Sequence, residues 1–112
     1  MAGTIKRTFG PLALTTLLTT NVYNQGSALI YDVITHLHVV NKTASSATFS
    51  LWIGGTGGNV AGTEFFNGQS VAANGVFDWY GRLKLTSTDF LVGGAGTTLA
   101  LSIEAEGDQY VV

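Results

Sequence analysis

A chain of 112 residues with no cysteine has room for one domain, and it excludes a disulfide framework, a thiolate zinc site and a thiol nucleophile. Charged residues are 11% of the chain and the formal net charge is -2, so there is no basic field for nucleic acid phosphates. No window approaches the about 18 consecutive apolar residues of a spanning helix, and neither nucleic acid nor membrane is an expected partner.

The charges are also few for a free surface, where about a quarter to a third of residues is usual, which points to a partner covering part of the molecule. From Met1 to Gly10 the pattern is weak, and the Gly10-Pro11 step closes it. This segment is expected to be an N-terminal arm or an edge strand, ahead of a sandwich domain over residues 11–112. The following Leu12 to Leu18 stretch is short and broken by threonines, unlike the apolar region of a secretion signal.

Leu29 to Val40 is the longest apolar-rich run. Strict alternation would put Tyr31, Val33, Thr35, Leu37 and Val39 on a core face, with Ile30, Asp32, Ile34, His36, His38 and Val40 opposite. A polar connection from Asn41 to Ala47 leads to Thr48–Ile53, where Phe49, Leu51 and Ile53 alternate with Trp52, and the two runs read as a hairpin. A glycine-rich loop, Gly54 to Gly62, precedes a brief strand at Glu64-Phe65-Phe66. Asn74-Gly75 suits a tight hairpin turn before Val76 to Tyr80, in which Tyr80 falls opposite Phe77 and Trp79.

Leu83 and Leu85 continue the alternation, Thr88-Asp89 before Phe90-Leu91-Val92 opens a last short turn or strand, and Gly93 to Gly96 interrupts. Leu99, Leu101, Ile103 and Ala105 then alternate with Ala100, Ser102, Glu104 and Glu106, and Tyr110-Val111-Val112 closes an edge. About seven to nine short strands at regular spacing predict an all-β chain, a single antiparallel β-sandwich of jelly-roll or immunoglobulin-like topology.

Little in the sequence points to catalysis. His36 and His38 share a strand face, with Asp32 four residues upstream, a set that suits a metal or an oligomer axis but lacks a further convergent ligand. A polar outer face is the expected role. Gly68-Gln69-Ser70-Val71-Ala72 approaches a nucleophile elbow, but Ala72 replaces its last glycine. The Gly54 to Asn59 loop has no phosphate-binding lysine, and Glu104 with Glu106 reads as a solvated pair. No catalytic, metal or cofactor site is expected, and the chain reads as a non-enzyme. The candidate partner contacts are Ile5, Lys6, Arg7 and Phe9 of the N-terminal segment and the aromatics Trp52, Trp79 and Tyr80. Such aromatics suit a protein interface, or stacking of sugar rings in a carbohydrate-binding adsorption module.

Three stretches carry a family likeness: Val39-Val40-Asn41-Lys42-Thr43 through Ala47-Thr48-Phe49-Ser50-Leu51, the glycine-rich loop after Trp52-Ile53, and Leu85 to Leu91 leading into Gly93-Gly94-Ala95-Gly96-Thr97-Thr98-Leu99. In this order the chain resembles small β-sandwich virion proteins of tailed bacteriophages. The resemblance implies a capsid decoration (cement) protein, or a neck, tail or fibre accessory protein. It also implies a homo-oligomer, with a trimer favoured, partnered by the phage major capsid protein or other virion proteins. Such a protein is made in the host bacterial cytoplasm and resides in the virion.

Overall fold

The computed structural model describes residues 3–59 and 62–112. Within them lie eight strands and no helix: β1 (Thr4–Ala13), β2 (Asn21–Tyr23), β3 (Ile30–Asn41), β4 (Ala47–Gly54), β5 (Glu64–Val71), β6 (Val76–Leu85), β7 (Phe90–Ala95) and β8 (Leu101–Val111). Met1 and Ala2 of the N-terminal segment, and Val60 and Ala61 of the glycine-rich loop, lie outside the described residues.

The strands form two antiparallel four-stranded sheets, ordered β1-β8-β3-β6 and β2-β7-β4-β5. First pairs with last, β2 with β7, β3 with β6 and β4 with β5, so the chain is one long antiparallel ribbon folded over on itself. That nested order is the jelly roll. The Thr4–Ala13 segment takes the edge-strand form, paired to β8 on one side with no strand on the other among the described residues.

Two connections expected to be hairpins instead cross between the sheets, because β3 and β4, and likewise β5 and β6, belong to different sheets. The expected turn at Asn74-Gly75 does form, with Asn74 at φ 53°, but it changes sheet rather than pairing its flanks. Asn41, 1% exposed, pins both crossings together. Its Nδ2 donates to the carbonyls of Ser45 (2.9 Å) and Val71 (3.1 Å), and its Oδ1 accepts from the backbone N–H and hydroxyl of Thr43. Its own N–H donates to Gly75 O at 2.9 Å. Crossing is what lets Leu37 and Val39 of β3 share one core with Phe49 and Leu51 of β4.

The alternation in β3 breaks once. Its register shifts between Ile34 and His36: against β8 Thr35 has no counterpart between Gly107 and Glu106, and against β6 Thr35 alone faces Gly81 and Arg82, so Thr35 is a bulge residue relative to β8 and the two faces of β3 exchange there. Ahead of the bulge Asp32 and Ile34 point inward; past it Leu37 and Val39 do. Tyr31, Val33 and Thr35 therefore do not share the core face with Leu37 and Val39, a correction to strict alternation. Tyr31 instead stacks on Tyr110 of β8 at 5.1 Å, with the Lys84 ammonium 4.6 Å over its ring. Gly107 makes the bulge sterically feasible, since a Cβ there would stand 2.0 Å from the Val33 carbonyl oxygen.

Three other expectations change. Gly93-Gly94-Ala95 continues β7 instead of interrupting it, and Leu99 lies outside any strand at φ 58°. Tyr110 and Val111 belong to β8, which is central between β1 and β3 and not an edge. As expected, Leu101, Ile103 and Ala105 are buried. Between the sheets, Phe49, Phe66 and Phe77 pack ring to ring at 5.2–5.8 Å, and Phe65 meets Trp79 edge-on at 4.9 Å.

Candidate functional site

The outer face of the first sheet gathers most of the chain's acidic groups. Asp78, Glu104, Glu106 and Asp108 lie on it, four of seven Asp and Glu in the sequence. At its middle His38 stands between Asp78 on β6 and Glu104 on β8, and His36 stands between Tyr80 on β6 and Glu106 on β8. Past the bulge the two-residue strand period holds both imidazoles on this side.

One carboxylate oxygen joins the histidines. Oδ1 of Asp78 lies 2.7 Å from Nε2 of His36 and 2.6 Å from Nδ1 of His38, while Nδ1 of His36 lies 3.1 Å from Oε1 of Glu106. The Tyr80 ring stacks on His36 at 4.5 Å and 1° between planes. Both histidines are half-buried, and with Glu104 and Glu106 they line a cavity of about 210 Å³. At its border Arg7 Nε stands 3.6 Å from Glu104 Oε2, an exposed pair of little energetic weight.

Carboxylates accept and do not donate, so His36 fills both contacts only as a doubly protonated imidazolium, or with a cation in place of one proton. Burial is the largest single influence on His36 and lowers its pKa. The hydrogen bonds to Asp78 and Glu106, with the charges of both carboxylates, together outweigh it and raise the pKa above the ordinary value. Hydrogen bonds from His38 and then His36 hold Asp78 below its ordinary value.

Asp32, expected beside the histidines, lies inside instead. The Thr35 bulge turns it to the interior, where it accepts from the Tyr23 hydroxyl and, at 3.1 Å, from Nε2 of Gln109. Burial, then the Asp32 hydrogen bond and charge, push the Tyr23 hydroxyl well above its usual range. The carboxylate that does converge is Asp78, which sequence reasoning missed. Its outward direction was readable, because it alternates with Phe77 and Trp79, but its neighbour on β3 was not.

The expected contact residues separate. Ile5 is 84% exposed, Tyr80 is 72% exposed and Arg7 is also on the surface, whereas Lys6 is half-buried. Phe9 is buried and stacks on Tyr23 at 5.4 Å. Trp52 does fall opposite Phe49 and Leu51, yet it is only 8% exposed, and its β7 partner Val92 is fully buried, so chain rather than solvent covers that side. Trp79 is half-buried against Phe65. Ser70 pairs with Thr48 inside β5, on no strand-to-helix turn. Apolar side chains also stand exposed where β3 begins and β8 ends: Leu29, Val111 and Val112, joined by Val112 N–H donating to Leu29 O at 2.9 Å.

No protein-family model matches the chain, and neither a curated protein nor a solved structure matches it.

Proposed function

We propose that the chain is a non-enzymatic structural protein of a bacteriophage particle, a capsid decoration (cement) protein that assembles as a homo-oligomer, with a trimer favoured. The observation that carries this reading is the apolar rim of Leu29, Val111 and Val112 at one end of the first sheet, with Ile5 exposed on the neighbouring edge strand. Exposed apolar groups beside a free strand edge are the usual makings of a protein interface. The jelly roll supplies a rigid body to present them, and fold likeness alone carries no more than that.

Stabilisation would come from number. A standard interface takes about 800 Å² per partner, a modest share of the 5755 Å² that the chain exposes. Repeated simultaneous contacts around a symmetric shell raise avidity with no single strong site. The N-terminal contribution falls to Ile5 and Arg7, because Phe9 is committed to its own core. Of the aromatics that could stack a sugar ring, Trp52 is buried, Trp79 is half-buried and Tyr80 alone stands well exposed, with one face already on His36, which favours the protein-interface reading.

The test is sedimentation with undecorated capsids, comparing the unmodified chain with Ile5→Asp. Co-sedimentation that Ile5→Asp weakens supports the reading. A chain that stays in the supernatant with capsids, yet pellets with tails, moves the assignment to a tail or neck accessory.

A further inference from the structure

One ligand-type atom from each of His36, His38 and Asp78 lies within 4.8 Å of the other two. Two imidazole nitrogens meet a single carboxylate oxygen there, at 2.7 and 2.6 Å. Glu106 completes the logic from behind. Its Oε1 lies 3.1 Å from Nδ1 of His36 and can only accept, so in the singly protonated ring the proton sits on Nδ1 and the Nε2 lone pair faces Asp78. A lone pair facing a carboxylate repels it, and either a second ring proton or a cation in its place removes the clash. Metal-ligating histidines have this arrangement, with a carboxylate holding the far N–H and an ion in front of the near nitrogen.

We propose that His36, His38 and Asp78 bind one divalent transition-metal ion of the zinc class, with Glu106 as a positioning residue for His36. Two imidazoles and one carboxylate suit zinc and its neighbours, whereas calcium and magnesium take all-oxygen sets. Zinc holds such atoms at about 2.0–2.2 Å, which in a tetrahedron sets them about 3.3 Å apart. To reach that spacing the 2.6–2.7 Å contacts open while the two imidazole nitrogens, within 4.8 Å of each other, draw together, and Asp78 lies at the surface. Three protein ligands leave a fourth position for water, beside the cavity that Glu104 also lines. The ion clips β3 to β6 across their outer face. This site is independent of the virion reading and stands or falls separately.

The direct experiment is calorimetric titration of zinc chloride into the full chain in chelator-treated buffer near neutral pH. One ion per chain is expected. His38→Ala and Asp78→Asn, each checked for retained strand signal by circular dichroism, are expected to weaken binding at least about tenfold, and Glu106→Gln about tenfold with the stoichiometry kept. Magnesium chloride is expected to give no saturable binding. Imidazole nitrogen resonances of the unmodified chain read the site without substitution, and zinc is expected to shift those of His36 and His38 together. No saturable zinc binding, unchanged affinity in the folded variants, or histidine resonances that zinc leaves in place would each overturn the assignment.

Discussion

His38 Nδ1 on β3 lies 2.6 Å from Asp78 Oδ1 on β6, at a point where the two residues are direct partners in register. The same oxygen also takes His36, so one surface carboxylate ties two imidazoles of a neighbouring strand.

In metal-free buffer burial lowers the His36 pKa, and the contacts with Asp78 and Glu106 together outweigh it. The groups facing His36 are Asp78 and Tyr80 on β6, Glu106 and Glu104 on β8, and His38 on its own strand. Its folded pKa lies above the ordinary 6.5. The stability it contributes is therefore fully present below that value and is lost as pH rises through the folded pKa. Asp78 has the opposite sign: its contribution is present above its ordinary 3.8 and is lost as pH falls through its lowered folded pKa. Imidazole resonances followed against pH should give His36 a midpoint above 6.5. Asp78→Asn and Glu106→Gln should each lower that midpoint, and a midpoint at or below the ordinary value contradicts the geometry.

Gly107 should not tolerate a side chain. A Cβ there meets the Val33 carbonyl oxygen at 2.0 Å and Ile34 Cα at 2.9 Å, both backbone atoms that cannot swing aside. Gly107→Ala is expected to lower unfolding stability by about 3 kcal/mol or more in urea melts. Gly55→Ala, where nothing stands within 4 Å, should stay within about 0.5 kcal/mol. Equal effects of the two would refute the bulge as described.

Asn41 should matter out of proportion to its size. Asn41→Ala strips the Val71 and Ser45 carbonyls of a donor at the point where both sheet crossings meet. The expected cost is about 1–3 kcal/mol, from the buried Val71 carbonyl and the Thr43 N–H losing this partner, while the Ser45 carbonyl keeps the Thr43 hydroxyl. An unchanged melting midpoint would show that water replaces the side chain there.

Much of the fold was readable because alternation is a local signal. Leu101, Ile103 and Ala105 declare the inner face of β8 without help from any distant residue, and the strand count follows from such runs. Sheet membership is different. Asn74-Gly75 announces a reversal, but whether the chain returns beside itself or across the core depends on where Phe49 and Leu37 find partners. A bulge is equally silent in sequence, since Thr35 is an ordinary strand residue, and a period-two reading carried straight through it. That one extra residue moved Asp32 from the histidine face to the interior. Asp78 was hidden because it comes from a strand 40 residues on, brought in by the β3–β6 register. Trp52 misled because its face was assumed open to solvent.

The central proposal is that this chain binds a particle by many weak contacts. Its most direct measurement counts bound copies, using labelled protein added in increasing amounts to undecorated capsids, which are then sedimented. Binding that saturates at a fixed ratio to the shell subunit, with free protein that light scattering finds to be a trimer, is the expected result. A monomer that never leaves the supernatant would contradict it.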